Sequence, residues 1–80
     1  MKHYVIVNDW ANEYESGTNV LGVTHSLEEA KEIFNTYVDN EREYARENNW
    51  EIFEDTDTVF ESGKNWHYAS NHSKMFIVEV

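Results

Sequence analysis

Hydrophobic residues in the first part of the chain recur with the two-residue period of β-strands. Residues 3–11, HYVIVNDWA, are rich in β-branched and aromatic side chains, and residues 20–24 form a second, shorter run of this kind. The residues between them, NEYESGTN, have the composition of a turn, in which Gly17 is free to adopt a positive φ. This pattern predicts an antiparallel hairpin with a long loop.

The period then changes to that of an α-helix. Ser26 and Glu29 match a capping box, with Ser26 as the N-cap and Glu29 reaching back to it. Apolar residues follow at spacings of three and four, which predicts a helix of about five turns. The helix is expected to end at Asn48-Asn49, because Asn tolerates the left-handed conformation of a C-terminal cap. The predicted apolar stripe, broken at Glu41, consists of Leu27, Ala30, Ile33, Phe34, Tyr37, Val38, Tyr44 and Ala45.

After the helix the two-residue period returns, with turn compositions between short apolar runs. In the last run Phe76, Val78 and Val80 share one face of a strand, whereas Met75 and Ile77 share the other. The turns are expected at residues 55–57, 62–65 and 70–73. The strands are expected at residues 50–54, 58–61, 66–69 and 74–80.

The order of these elements predicts the α+β class. We expect a single antiparallel sheet, made by ββα and then a β-meander, with one helix packed on one face and one domain over residues 1–80. One helix covers only part of such a sheet, so an apolar face stays open, and open apolar faces indicate dimerisation or a binding surface. The predicted residues of that face are Met75, Ile77 and some of Trp10, Trp66 and Tyr68.

The composition of the chain argues against a disordered, disulfide-bonded or membrane-spanning protein. Twelve aromatic residues can form a core in spite of a formal net charge of −10, because each one buries a large area. The absence of cysteine excludes disulfides and thiolate metal sites and is typical of a cytoplasmic protein. The apolar run near the N-terminus is too short for a signal peptide or a membrane span.

The charge also limits the partners. Six basic residues spread along the chain do not form a phosphate-binding patch, so direct binding of nucleic acid or of an anionic membrane is not expected. An acidic excess serves either solubility or attraction to a basic protein. Residues 51–63, EIFEDTDTVFESG, concentrate that excess, with five acids and no base. Tyr14, among the acids of the hairpin loop, is the best candidate for an exposed recognition aromatic.

No motif in the sequence specifies chemistry. An EF-hand loop counted from Asp55 would place Phe60 sixth and Trp66 twelfth, where glycine and glutamate are required. His67 and His72 could converge across a turn, but no third ligand is specified, so surface histidines are the better interpretation. The chain has no nucleophile elbow and no glycine-rich phosphate loop. We therefore expect no catalytic residue, no cofactor and no metal.

Four segments carry a resemblance that extends over nearly the whole chain. DWANEYESG, SLEEAKEIF, ENNWEIFEDTDTVFESG and NHSKMFIVEV are similar to segments of short, uncharacterised acidic proteins of Firmicutes and their phages. The resemblance implies no activity and assigns no site residue. The size and acidity also resemble those of phage-encoded inhibitors of host defence, such as anti-CRISPR and anti-restriction proteins.

The sequence thus favours a non-enzymatic, mobile-element-encoded inhibitor whose acidic face blocks a basic, nucleic-acid-binding surface of a host factor. The alternative is a small-ligand-binding or sequestering homodimer with aromatic residues at the subunit junction, and a small enzyme is the third possibility. Strong salt dependence of partner binding would favour the inhibitor, and a ligand retained through purification would favour the homodimer. The predicted partner-binding residues are Asp39, Glu43, Glu47, Glu51, Glu54, Asp55, Asp57, Glu61 and Tyr14.

Overall fold

A computed structural model describes residues 2–12, 14–64 and 71–80 of the chain. Five strands and one helix make up this part of the protein. The elements are β1 (Tyr4–Ala11), β2 (Ser16–Thr24), α1 (Leu27–Glu47), β3 (Glu51–Asp55), β4 (Val59–Lys64) and β5 (Asn71–Glu79).

The five strands form one sheet in the order β2-β1-β5-β4-β3, and every neighbouring pair is antiparallel. The strand β1 therefore lies between its hairpin partner β2 and the last strand, β5. The helix α1 packs against one face, over β1, β2, β5 and part of β4. This arrangement confirms the predicted α+β class, with a single antiparallel sheet and one helix on one face.

Both ends of α1 follow the predicted signals. Ser26 is the N-cap, and its Oγ accepts a hydrogen bond from the Glu29 N–H at 3.4 Å. Asn48 caps the other end, and Asn49 follows with a φ of 58°, in the left-handed region. The chain then turns back, and the Trp50 N–H donates to the Ala45 carbonyl at 2.7 Å. Trp50 also packs edge-on against Tyr44.

The core lies between the apolar stripe of α1 and the sheet face beneath it. Phe34 and Val38 are fully buried there against Ile6, Phe60 and Met75. The predicted stripe is thus confirmed along its midline, where Ala30 and Ala45 are buried as well. Three other predicted members, Leu27, Tyr37 and Tyr44, remain exposed.

The predicted strand boundaries were wrong at two hairpins. The loop between β1 and β2 is shorter than predicted, because Asn12 N–H bonds to the Glu15 carbonyl at 2.8 Å and β2 starts at the next residue. Gly17 lies inside β2 and has no positive φ; a Cβ there would lie 2.8 Å from the Trp10 ring, so Gly17 is needed for close approach. The turns expected at 62–65 and 70–73 were also wrong, because β4 continues to Lys64 and β5 begins at Asn71. The strand expected at 66–69 lies outside the described residues.

The predicted orientation of β5 was also wrong. Met75 and Ile77 point toward α1, because they pair with Asn8 and Ile6 of β1, and Ile6 is a core residue. Phe76 and Val78 consequently occupy the face that α1 does not cover. Trp10 likewise lies on the same face of β1 as Ile6, and not on the open face. Trp66 and Tyr68, also expected on the open face, lie outside the described residues.

Candidate interaction surfaces

Negative charge is concentrated in the second half of α1, in β3 and in the turn after β3. Residues 39–57 contain eight acids and two bases, a formal charge of −6 out of −10 for the whole chain. We call this stretch the acidic edge, because β3 is an edge strand of the sheet. The fold keeps its two parts adjacent, because only three residues separate α1 from β3.

The predicted helical acids form one exposed row. Asp39, Glu43 and Glu47 are spaced four residues apart, so they follow one another along the same side of α1. Asp39 contacts Arg42 at 3.0 Å, and Glu43 lies 3.8 Å from Arg46. Such exposed ion pairs contribute only about 0–1 kcal/mol each to the stability of a protein. Asp39 and Glu43 are therefore only weakly paired, and the row remains an anionic surface.

Arg42 joins the helix to the edge strand. Its Nε and Nη2 donate to the two carboxylate oxygens of Asp55 at 3.0 and 2.6 Å, and its Nη1 donates to Asp39. The hydrogen bonds from Arg42 hold the pKa of Asp55 below its usual value, and those bonds in turn raise the pKa of Arg42. Arg42 also lies 5.6 Å from the ring centre of Phe60. Asp55 is therefore the acid of this edge whose charge is best compensated.

The turn after β3 does not depend on its acids. Thr56 Oγ1 accepts hydrogen bonds from the Thr58 and Val59 N–H groups, and the Thr56 N–H donates to the Val59 carbonyl at 2.8 Å. Asp57 projects from this turn and is exposed, as are all five residues of β3. The carboxylate of Asp57 is thus available to a partner and has no role in closing the hairpin.

The remaining predicted acids lie on the other face of the sheet. These are Glu51, Glu54 and Glu61. Glu51 pairs with Gly63 and Glu54 with Glu61, so the three carboxylates lie on the sheet face that α1 does not cover. Glu61 is half-buried, and its carboxylate lies 2.6 Å from the His72 Nε2. Glu54 and Glu61 form a like-charge pair across the two strands, which is unfavourable. The predicted acids therefore border the β3 edge from both faces of the sheet and do not form one flat surface.

Tyr14 is separated from the acidic edge. It lies in the β1–β2 loop, where Asn12 Oδ1 accepts hydrogen bonds from the Tyr14 and Glu15 N–H groups at 2.9 and 3.0 Å. The side chain is 88% exposed, which confirms the expectation of a surface residue. The loop joins β1 to β2 at one side of the sheet, and β5 and β4 separate β1 from β3 at the other side. One partner would therefore have to span the sheet to contact both Tyr14 and the acids.

Glu41 differs from the other acids, because it faces the sheet. It lies between Val38 and Ala45 in the buried stripe, and its burial raises the pKa of the carboxyl group. Ser62, on the face of the sheet beneath α1, is also buried, and its Oγ has no hydrogen-bond partner within the described part of the chain. Polar groups thus replace apolar contacts beneath the second half of the helix.

The face of the sheet opposite α1 is a second candidate surface. Strand pairing arranges its apolar side chains in two adjacent rows, one across β2, β1 and β5 and the other across β2, β1, β5 and β4. These side chains are half-buried or exposed, the most exposed being Val20 at 63%. We call this surface the open valine face. Its members are Val23, Val5 and Val78 in the first row, and Val20, Val7, Phe76 and Val59 in the second.

The described ranges contain neither a cluster of metal ligands nor a membrane-spanning helix. No three His, Asp or Glu side chains in them are grouped so that they could hold a metal ion. His67, which could converge with His72 across a turn, lies outside those ranges. No helix among the described residues has both the length and the apolarity needed to cross a membrane.

Comparison of the chain with known proteins adds no further assignment to these surfaces. No protein-family model, no curated protein and no solved structure matches the chain.

Proposed function

We propose that this protein acts by binding a second protein through its acidic edge, and that the partner presents a basic surface. The observation that carries the proposal is the formal charge of −6 over residues 39–57, most of it on exposed side chains. Arg42 and Arg46 compensate part of this charge. Glu47, Glu51, Glu54 and Asp57 are exposed and have no ion pair with any described residue.

The acids meet a physical requirement of charge-driven recognition. They are distributed over an edge of the sheet and the adjoining helix, so their fields add on one side of the molecule. Complementary charge mainly raises the association rate, and salt weakens the effect by screening. Because the Thr56 turn and the helix caps do not use these carboxylates, the charge is available for an encounter.

The acids have a competing explanation in folding. Charged residues on an edge strand prevent pairing with the edge of another sheet, and β3 is such a strand. That protective role requires charge on β3 itself but not on Asp39, Glu43 and Glu47 of the helix. The continuation of the acidic row onto α1 therefore supports binding over protection alone.

The narrower form of the proposal concerns inhibition. The partner's basic surface would be one that binds nucleic acid in a host factor, and the protein, encoded by a phage or another mobile element, would block it by occupying that surface. The support is the acidic edge together with the resemblance to short acidic phage proteins. The expected signature is competition between this chain and nucleic acid for the partner.

Two triple variants of equal charge test the proposal. Glu47→Gln, Glu51→Gln and Glu54→Gln together halve the formal charge of the acidic edge, from −6 to −3, but spare Asp55, which Arg42 holds. Glu28→Gln, Glu29→Gln and Glu32→Gln remove the same charge from the first turns of α1. Proteins captured from a lysate by the wild-type chain at low salt should be basic. Their association should slow about tenfold in the first variant and much less in the second.

The kinetics should be followed from low to high salt, because the difference between the variants should shrink as salt screens the charges beyond about 10 Å at 0.1 M. Equal slowing of both variants would mean that only the total charge matters. Capture of neutral or acidic partners, or wild-type kinetics in the first variant, would contradict a binding role for the acidic edge.

A further inference from the structure

We infer that the outer edge of β2 binds an extended, basic segment of another protein, which adds one more strand to the sheet. The inference goes beyond the proposed function, because β2 and the acidic edge lie at opposite sides of the sheet. It also gives a role to Tyr14, which lies at the start of β2 and away from the acidic edge.

The two edge strands of the sheet differ in charge. The strand β3 carries three acids in five residues, and such charges keep an edge strand from pairing with another strand. The strand β2 has nine residues, SGTNVLGVT, and none of them is charged or is proline. All sixteen acidic and six basic residues of the chain therefore lie outside β2. The edge of β2 lacks the charges that protect the edge of β3.

The backbone of β2 is open to pairing over residues 16–20. This segment pairs with β1 on its inner side, and no other backbone hydrogen bond reaches it among the residues that the structure describes. The outward N–H and C=O groups of an edge strand are a template for the backbone of an added strand. A register shift leaves Leu21 without a partner in β1, so the regular ladder extends over the five residues before it.

Two aromatic residues lie beside this segment. Tyr14 is in the turn before β2, where Asn12 Oδ1 accepts hydrogen bonds from the Tyr14 and Glu15 N–H groups, and its side chain is almost fully exposed. Exposed tyrosines of this kind are frequent anchors in protein interfaces. Trp10 covers Gly17, since a Cβ there would lie 2.8 Å from the Trp10 ring. An added strand would therefore meet the Trp10 ring on the helix side of the sheet, next to Gly17.

The side chains of residues 16–20 indicate the chemistry of the added segment. Thr18 and Val20 are exposed on the open valine face, where β-branched residues of an added strand would pack beside them. Acids border the strand, because Thr18 Oγ1 donates to the Asp9 carboxylate at 2.6 Å and Glu15 precedes β2. An uncharged strand with acidic borders is complementary to a β-branched segment that has Lys or Arg at its ends.

The same features favour another protein over a second copy of this chain. If two β2 strands paired around Thr18, the bulge at Leu21 of each copy would lie opposite Glu15 of the other, and the ladder would end there. Each copy would also bring a net charge of −10 to the contact. A segment without a bulge can continue past Ser16 to Tyr14, and its basic ends supply the charge that a second copy lacks.

Three synthetic peptides test the inference. The first alternates threonine and valine and has lysine at both ends. The second has the same side chains but N-methyl groups on its backbone, so it cannot donate the hydrogen bonds of a ladder. The third has glutamate at both ends. The first peptide should slow amide hydrogen exchange in residues 16–20 but not in β3, the second should not bind, and the third should bind about tenfold more weakly at low salt.

Tyr14→Ala should raise the dissociation constant of the first peptide about fivefold or more, as the loss of an interface anchor does. Tyr37→Ala is the matched control, because Tyr37 is an exposed tyrosine of α1, and it should bind the peptide as wild type does.

Four results would each overturn the inference. They are no binding of the first peptide at millimolar concentration, equal binding of the N-methylated peptide, slowed exchange in β3 instead of β2, and equal affinities of the Tyr14 and Tyr37 variants. Exchange should also be measured on the concentrated chain without peptide. Slower exchange in residues 16–20 under that condition would assign the edge to a second copy and would likewise contradict the inference.

Discussion

At the scale of single residues, the acids of this chain have different surroundings. Asp55 is held by Arg42, Glu61 by its contact with His72, and Glu41 faces the sheet, whereas Glu47 and Asp57 are exposed to solvent. A sequence gives the number of carboxylates but not these surroundings, because they arise from contacts between residues distant along the chain. The sequence predicted an acidic stretch over 51–63, and the structure shows that its members lie on both faces of a sheet.

Glu41 gives a prediction about pH at this scale. Its pKa in the folded state is raised by burial, so the ionised carboxylate of the native protein lowers stability at neutral pH. Glu41→Gln should therefore raise the melting temperature at pH 7. As pH falls through the raised pKa toward the ordinary value of 4.5, wild type takes up its proton and the advantage of the variant should shrink.

Glu32→Gln is the control for this experiment, because it removes the same charge from an exposed position of α1. Thermal melts followed by circular dichroism at several pH values would compare the three proteins. A Glu41→Gln protein that melts at the same temperature as wild type, or below it, at pH 7 would show that the carboxylate makes a favourable contact.

At the scale of elements, local signals predicted the helix better than the strands. The helix ends were predicted from Ser26 at the start, from Asn48-Asn49 at the end and from the apolar spacing between them. Such signals can be read from the sequence because caps and periodicity depend on neighbouring residues. The start of β2 was missed, because the fit of Trp10 over Gly17 allows a glycine-containing segment to remain in the sheet. The face that β5 presents to α1 depends on its register with β1, a strand far away in sequence, and no local pattern specifies that register.

Asn49 gives a prediction at the scale of the helix. Its φ of 58° is unfavourable for a residue with a Cβ unless a short polar side chain compensates. Asn49→Ala should lower the free energy of unfolding by about 1 kcal/mol, which corresponds to about 4–8 °C in the melting temperature of a domain this size. Asn49→Gly should match or exceed the wild-type stability, because glycine adopts this φ without strain.

The same substitution within the helix provides the control. Asn40 is exposed near the middle of α1, where alanine is the better helix former, so Asn40→Ala should leave stability unchanged or raise it. Chemical denaturation of the three variants measures the differences. Equal effects of Ala at positions 40 and 49 would mean that the left-handed residue does not determine how the helix ends.

At the scale of the whole molecule, sixteen acids and six basic residues imply repulsion within the folded state. The like-charge pair of Glu54 and Glu61 is one local instance. Raising the salt concentration from about 0.01 to 0.1 M shortens the screening length from about 30 to 10 Å, so the melting temperature should rise. The measurement is a series of thermal melts at fixed protein concentration, repeated at acidic pH, where protonated carboxylates should reduce the effect. A melting temperature that falls with salt would mean that ion pairs such as Arg42–Asp55 outweigh the repulsion.

The position of β1 between β2 and β5 has a consequence for how the chain folds. Tyr4 pairs with Glu79 and Ala11 with His72, so the central ladder joins residues more than sixty positions apart. The β1–β2 hairpin, α1 and the β3–β4 hairpin are local and can form early, but the core closes only when β5 inserts between β1 and β4. Such non-local closure slows folding, and during synthesis the two hairpins would wait with their inner edges unpaired until the last strand emerges from the ribosome.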